Sequence, residues 1–201
     1  MTTLRKAPVD HPVNELIAGR WSSRALSDRR VEPATLAQMF EAARWAPSSF
    51  NEQPWSYIVA TRDQPEAFEK LGSLLVEGNA WARRGYVLAL SVATLGFQRN
   101  GKPNVHAWHD VGAASENLFL QAAALGIGMH EMAGFDRERA RKVYALDAGH
   151  DPAAMIAMGY PGDPADLPEP LRSLESAPRQ RRPINEFVFE GEWGKAAGFS
   201  R

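Results

Sequence analysis

The sequence contains no cysteine among its 201 residues, which excludes disulfide bonds, thiolate nucleophiles and metal sites built on cysteine sulfur. Its formal net charge of -1 lacks the basic excess that is typical of nucleic-acid-binding proteins. The longest apolar run, residues 86–95, is too short to span a bilayer, and no apolar stretch follows the first basic residues. These absences predict a cytoplasmic protein with neither nucleic acid nor a membrane as partner.

Several catalytic and cofactor motifs are missing as well. No G-x-G-x-x-G follows a strand near the start of the sequence, so a Rossmann domain is not predicted. No G-x-S-x-G nucleophile elbow is present. His106 and His109 have a spacing seen in some metal sites, but the sequence offers no evident third ligand. A polar loop or helix start is the favoured interpretation of this pair, and a metal-dependent enzyme is the alternative.

The length favours a single domain, residues 1–201, with a distinct C-terminal arm from about residue 161. Short apolar runs at 57–60, 86–92 and 153–160 predict buried strands, and helical patterns separate them. This alternation indicates α/β or α+β architecture with a sheet covered by helices. The arm is rich in proline and charge, and a short strand is predicted at Phe187–Phe189. An apolar end beyond an irregular arm favours contact with a partner subunit.

A polar loop between two prolines is the most informative local feature. Residues 46–55 read Ala-Pro-Ser-Ser-Phe-Asn-Glu-Gln-Pro-Trp and lead directly into the first apolar run. Pro47 and Pro54 restrict the backbone, and the hydroxyl and amide side chains between them supply donors and acceptors at close spacing. The pattern predicts a rigid polar loop at the edge of the core, suited to a planar polar ligand.

Two arginine clusters lie at opposite ends of the chain. Arg20 and Arg24 flank a pair of serines, and Arg179, Arg181 and Arg182 precede Pro183. The guanidinium group matches the geometry of phosphate oxygens, so the two clusters could converge on one phosphate. Two separate solvated charge runs are the alternative that spacing alone favours.

Five segments in this order resemble the FMN-dependent nitroreductase family. They are Arg20-Trp21-Ser22-Ser23-Arg24, the loop at 46–55, Asn79, the run from Asp110 to Asp136, and Arg179-Gln180-Arg181-Arg182-Pro183. The resemblance covers nearly the whole chain. It implies an α+β, nitroreductase-like fold with a central mixed, mostly antiparallel β-sheet covered by helices. It also implies a homodimer in which the C-terminal segment extends to the partner subunit.

The resemblance assigns roles to individual residues around FMN. Arg20 and Ser22, with Arg179 and Arg181, correspond to the phosphate shell, and Arg24 to the cation beside the flavin pyrimidine ring. Asn79 corresponds to the amide at the polar edge of the ring. The cofactor-binding set implied in full is Arg20, Trp21, Ser22, Ser23, Arg24, Pro47, Ser48, Ser49, Asn51, Gln53, Asn79, Met132, Ala133, Gly134, Arg179 and Arg181.

Two parts of this set have distinctive roles in the family. Pro47, Ser48, Ser49 and Asn51 correspond to a loop that reaches the flavin of the other subunit. The backbone of residues 132–134 corresponds to the chain beside flavin N5. Ala133 stands where some family members carry glutamate, which is a departure from the family pattern beside the flavin.

The resemblance also implies the activity. NADH or NADPH would reduce FMN by hydride transfer to N5, and a small electron-poor acceptor would then be reduced in a ping-pong cycle. Nitroaromatics, quinones and activated alkenes or carbonyls are the acceptor classes implied. No side chain is assigned as a catalyst because the flavin carries the chemistry. Reductive dehalogenation, flavin cleavage and non-catalytic redox sensing by a bound FMN are the alternatives.

Overall fold

Four strands form one antiparallel sheet in the computed structural model of the chain, which describes residues 6–199. The sheet order is β1-β2-β4-β3, and each neighbouring pair is antiparallel. A parallel pairing occurs at an isolated bridge between Ser22 and Met129. The predicted α+β class with a mostly antiparallel sheet is confirmed. The strands are β1 (Trp55–Thr61), β2 (Val87–Thr94), β3 (Gly128–Met132) and β4 (His150–Gly159).

Helices cover both faces of the sheet. They are α1 (Glu15–Gly19), α2 (Pro33–Arg44), α3 (Pro65–Gly72), α4 (Ala107–Ala124), α5 (Arg137–Val143) and α6 (Leu171–Ser176). Proline begins α2 and α3, where its missing N–H costs no helical hydrogen bond. Asp136 caps α5, because its carboxylate accepts from the backbone N–H of Arg139 at 2.8 Å. Turns of 3-10 helix lie at Ser49–Asn51, Glu77–Arg84, Pro164–Asp166 and Ile184–Glu186.

The core has two layers because alternate side chains of each strand face opposite sides of the sheet. Leu88 and Leu90 of β2 pack with the layer that includes α3 and α5. Val87 and Ala89 face the other layer, which includes α2 and α4. On α4, small buried residues such as Ala114 and Ala122 let the helix lie close to the sheet. The long helix therefore provides a fixed support for the segments that pack along it.

Gly159, at the end of β4, leaves no room for a side chain. A Cβ there would lie 2.7 Å from the carbonyl oxygen of Ser27 and 3.3 Å from the backbone nitrogen of Tyr86. We expect Gly159→Ala to lower the free energy of unfolding by about 1–3 kcal/mol, because backbone must move to admit the methyl group. Chemical denaturation measures this. Gly78→Ala is the control, since a Cβ at Gly78 meets no atom within 4 Å; equal losses in both variants would contradict the prediction.

The C-terminal arm departs from the sequence prediction in two respects. Phe187–Phe189 is not a strand: Phe189 forms an isolated antiparallel bridge with Ala196. The end of the chain turns back on itself at Gly191 and Gly194, both with positive φ, so its hydrogen bonds are local. The region 161–183, expected to be irregular surface, contains α6, and Glu175 on that helix is buried.

Candidate functional site

The arginine segment, residues 20–24, runs beside the edge strand β3. Ser22 forms a parallel bridge with Met129, and its carbonyl oxygen lies 2.9 Å from Nδ1 of His130. A carbonyl oxygen only accepts, so Nδ1 of His130 carries the proton and donates it. The segment follows α1, whose last residue is Gly19. Backbone pairing to the sheet thus fixes the part of the chain that carries the predicted phosphate-binding residues.

Arg20 projects onto α4 in a way that leaves a hydrogen-bond donor unused. Its side chain is only 18% exposed, and its guanidinium carbon lies 4.8 Å from the centre of the Phe119 ring. Nε lies 3.3 Å from a carboxylate oxygen of Glu116, yet this buried nitrogen makes no hydrogen bond. Buried donors are almost always bonded, so this one fits an anionic ligand such as a phosphate.

Trp21, Ser23 and Arg24 of the arginine segment bind a carboxylate from the far end of the chain. One oxygen of Glu175 accepts from Nε1 of Trp21 at 3.0 Å and from the hydroxyl of Ser23 at 2.7 Å. The other oxygen accepts from the backbone N–H of Arg24 at 2.9 Å. Sequence reasoning missed Glu175, because a single glutamate in a proline-rich arm carries no spacing or motif that could identify it.

The two arginine clusters converge in part. Arg179 donates through Nη1 to the carbonyl oxygen of Ala18 at 2.7 Å, and its guanidinium carbon lies 5.7 Å from the centre of the Trp21 ring. Arg181 is exposed, and its Nη1 donates to the neighbouring carbonyl of Gln180 at 2.8 Å. The structure therefore brings Arg179 to the arginine segment. A role for Arg181 stays a prediction.

Asn79 reaches the chain that follows β3. Its Nδ2 donates to the carbonyl oxygen of Gly134 at 2.9 Å. A Cβ at Gly134 would lie 2.6 Å from that Nδ2, so glycine permits the close approach. Met132 is buried in the core and Ala133 is exposed. Asn79 and residues 132–134, predicted from separate segments, thus form one local group.

His130 connects this group to the arginine segment. Its ring packs edge-on against Trp81 at 4.9 Å between centres, while Nδ1 donates to Ser22. Trp81 belongs to the 3-10 turn that carries Asn79. The imidazole therefore braces two parts of the candidate site against each other.

The pKa of His130 lies below its ordinary value of 6.5, chiefly because burial disfavours the imidazolium and secondarily because Arg24 adds positive charge. The backbone around Ser22 and the charge of Glu175 oppose this shift. The unfolded chain therefore takes up a proton below pH 6.5 that the folded chain resists, and the free energy of unfolding falls as pH is lowered below that value.

Denaturant titrations at several pH values should show this fall in the free energy of unfolding in the parent, and a weaker fall in His130→Asn. Exposed His11 supplies the control: a weaker slope in His11→Asn of equal size would contradict the assignment.

The loop at 47–53 is bonded both to α4 and within itself. Ser49 donates its backbone N–H to a carboxylate oxygen of Asp110 at 3.0 Å, and Gln53 donates its own to the hydroxyl of Ser48 at 3.0 Å. Three residues adopt positive φ: Phe50 at 55°, Asn51 at 56° and Gln53 at 52°. Such backbone is costly for residues other than glycine and persists where surrounding bonds enforce it. Pro47 begins the loop and is exposed.

The loop and the arginine segment attach to different parts of α4. Asp110 anchors the loop in the first turn, and Glu116 faces Arg20 six positions later. At 1.5 Å per residue the two attachments lie about 9 Å apart along the helix. An open pocket of about 600 Å³ adjoins the loop itself, lined by Phe50, Asn51, Glu52, Gln53, Gln98 and Arg99.

The histidine pair offers no developed metal centre. Nδ1 of His109 lies 3.2 Å from a carboxylate oxygen of Asp110, whose other oxygen binds the loop. Within residues 6–199 we find no group of three or more histidine, aspartate or glutamate side chains placed to hold a metal ion. In that same range, no helix has both the length and the apolar character needed to cross a membrane.

Comparison with known proteins gives consistent matches. Residues 17–160 match the model of the nitroreductase family. A 15.4 kDa protein from the ask 5' region of Mycolicibacterium smegmatis is 35% identical over 129 residues, which cover 64% of this chain and 86% of that protein. An Archaeoglobus fulgidus protein with the provisional name NADH dehydrogenase/NAD(P)H nitroreductase is 29% identical over 160 residues, covering 77% and 88% of the two chains.

Solved structures agree in fold. A crystal structure described as an oxidoreductase containing FMN superposes with a TM-score of 0.89 at 32% identity and covers 97% of this chain and 100% of its own. A Desulfovibrio desulfuricans structure in complex with FMN gives a TM-score of 0.69 at 27% identity, with 92% and 99% covered.

Proposed function

The chain belongs to the nitroreductase family, and we propose that it acts as an FMN-dependent oxidoreductase that uses NADH or NADPH to reduce small electron-poor acceptors. Nitroaromatics, quinones and activated alkenes or carbonyls are the acceptor classes. The observation that carries this proposal is that Arg179, from the far end of the chain, lies against the segment that contains Arg20 and Arg24. The FMN bound by similar structures supports the same cofactor.

The residues of the arginine segment fit the phosphate of FMN. Arg20 presents a buried Nε without a hydrogen-bond partner, and Arg179 lies beside Trp21. Guanidinium groups in such a partly dry setting form strong, charge-assisted bonds to phosphate oxygens. The hydroxyl of Ser22 supplies a further polar group in the same segment, whereas the hydroxyl of Ser23 already donates to Glu175. These residues would bind and orient the cofactor.

Bound FMN would supply hydride chemistry by taking a hydride from reduced nicotinamide and passing it to the acceptor. This chain's own part is to hold the ring and exclude water. Arg24 would place a positive charge near the ring edge that becomes negative on reduction. Asn79 and the backbone of residues 132–134 would contact the polar ring edge and the N5 side. The local contact between Asn79 and Gly134 supports their acting together.

The cofactor assignment predicts the colour and content of the purified protein. We expect yellow protein from which heat or acid releases FMN in roughly stoichiometric amount, identified by chromatography against FMN, FAD and riboflavin standards. The physical reason is that the proposed site holds a terminal phosphate and the sequence has no adenosine-binding fingerprint. Stoichiometric FAD, or colourless protein that does not bind added FMN, would contradict the proposal.

We further propose that the active unit is a homodimer with the C-terminal arm extending to the partner. In the family that the sequence resembles, the loop at 47–53 reaches the flavin of the other subunit, which supports binding of one flavin by groups from two chains. The arm also exposes large apolar side chains: Phe187 is 52% exposed, Trp193 94% and Phe199 73%. Apolar groups in such density are typical of surfaces covered by another subunit.

Light scattering at dilute protein concentration tests the dimer. We expect twice the mass of one chain, undiminished on dilution, because obligate interfaces bury upwards of ~2,000 Å². Removing residues 187–199 should produce a smaller species or aggregates. A stable monomer that retains FMN would refute the shared site.

Turnover distinguishes an enzyme from a redox sensor with the same cofactor. Anaerobic mixing with NADH or NADPH should bleach the flavin absorbance, and a subsequent quinone or nitroaromatic should restore it over repeated cycles. A sensor would hold FMN without such cycling. Release of halide from a halogenated aromatic, or loss of the flavin itself during turnover, would indicate the alternative reactions.

A further inference from the structure

We propose that Glu175 is a positioning residue that fixes the arginine segment in the conformation that selects FMN over riboflavin. This inference rests on the proposed function, because it concerns the same phosphate site. The carboxylate is remote from the segment in sequence, and its helix lies in the arm that sequence reasoning treated as surface. It deepens the proposal by naming the group that organises the site without touching the phosphate.

Glu175 contacts the arginine segment at three of its five residues. Both carboxylate oxygens are used, one by Trp21 and Ser23 and the other by the backbone of Arg24, all at 3.0 Å or less. Only 6% of the residue is exposed to solvent. A buried carboxylate with three donors aligned on it is a built interaction, since an unsatisfied buried charge would be strongly unfavourable.

The arginine segment depends on this contact because it has little regular structure of its own. Its contacts with β3 are the isolated bridge at Ser22 and the bond from His130 to the Ser22 carbonyl. On either side of that bridge, Trp21 and Arg24 are fixed by Glu175. The phosphate shell requires guanidinium groups within a few tenths of an ångström of their acceptors, and such placement comes from surrounding hydrogen bonds.

The same arm also brings a cation to the segment, in addition to Arg20 and Arg24. Arg179 lies four positions after Glu175, and it binds the carbonyl of Ala18 while lying against the Trp21 ring. The ring nitrogen of Trp21 thus donates to the Glu175 carboxylate, while the Arg179 guanidinium lies beside the Trp21 ring.

The experiment compares FMN with riboflavin, which lacks the phosphate. Apoprotein of the full chain, as parent and as Glu175→Gln, is titrated with each flavin and followed by fluorescence quenching. The substitution keeps the side-chain shape. The amide NH2 of glutamine only donates, so it cannot accept from at least one of the three donors on Trp21, Ser23 and Arg24. We expect FMN affinity to fall about tenfold or more, and riboflavin affinity to stay within about twofold.

Glu169→Gln is the matched control. Glu169 lies in the same arm, is exposed, and accepts from the backbone and hydroxyl of Ser173. Its removal weakens α6 without altering a donor to the arginine segment, so it should leave the preference for FMN intact. Glu175→Ala serves as the stronger variant, and Glu175→Gln keeps the test valid if the alanine variant does not fold.

The outcomes separate this inference from the proposed function. Parent protein that prefers FMN, with Glu175→Gln retaining that preference, overturns the positioning role and leaves the function standing. Equal losses for FMN and riboflavin would make Glu175 a general structural residue and overturn the role as well. Parent protein that binds neither flavin overturns both proposals.

Discussion

Arg20→Ala is expected to weaken FMN binding by about 10- to 100-fold while leaving the fold intact. A charge-assisted hydrogen bond contributes about 1.5–3 kcal/mol, and about 1.4 kcal/mol corresponds to a tenfold change in affinity. Arg20 belongs in the upper part of this range, because its side chain is 18% exposed and its buried Nε makes no hydrogen bond, although a carboxylate oxygen of Glu116 lies 3.3 Å away. Titration of apoprotein with FMN measures the effect.

The control for Arg20 is an arginine whose charge is already satisfied. Arg44 is exposed and pairs with Glu41 one turn earlier on α2. Arg44→Ala should leave FMN affinity unchanged, which separates the local loss from a change in overall charge. Circular dichroism and thermal unfolding of both variants establish that the fold persists. Parent-like FMN affinity in Arg20→Ala would remove this residue from the phosphate shell.

The arginines at the other end of the chain refine the same test. Arg179 lies against the arginine segment, whereas Arg181 is exposed and bonds to its neighbour's carbonyl. If both belong to the phosphate shell, as the family resemblance implies, Arg181 must turn inward when FMN binds. Affinity losses in both Arg179→Ala and Arg181→Ala support this; a loss in Arg179→Ala alone restricts the shell to the residue that already contacts the segment.

The sheet could be predicted because its strands differ in burial from their surroundings. Residues of β2 are buried almost throughout, which a continuous apolar run indicates. The polar loop at 47–53 was predictable too, since prolines and short polar side chains restrict the local backbone, although its anchor on Asp110 is distant in sequence. In each case the signal lies within about ten neighbouring residues.

The arm could not be predicted, because its structure depends on contacts far away in the chain. Glu175 is buried by donors at residues 21–24, and no local pattern on α6 encodes those partners. Phe187–Phe189 has strand-like composition, but a strand needs a neighbour for its backbone bonds, and this segment bonds within its own turn. Asn79 was identified through family resemblance alone, since a single asparagine carries no pattern.

Arg24→Ala is expected to change the redox behaviour of bound FMN more than its affinity. The backbone N–H of Arg24 donates to Glu175. The positive charge of Arg24 lowers the pKa of His130, and the His130 ring packs against Trp81 in the turn that carries Asn79. Reduced flavin is negatively charged along its pyrimidine edge. A cation at that edge therefore stabilises the reduced form more than the oxidised form.

Loss of that cation should lower the two-electron midpoint potential of the bound flavin. Using about 1.5–3 kcal/mol for a charge-assisted bond, and 30 mV per 1.4 kcal/mol, the fall is about 30–60 mV. Hydride transfer from NADH or NADPH should slow in parallel at saturating FMN. Arg24→Lys separates charge from shape, because it keeps the positive charge and should retain most of the parent potential. Anaerobic redox titration and stopped-flow reduction measure both quantities. A parent-like potential and reduction rate in Arg24→Ala would place this arginine away from the ring. Equal falls of the midpoint potential in Arg24→Lys and Arg24→Ala would assign the effect to hydrogen-bond geometry rather than to charge.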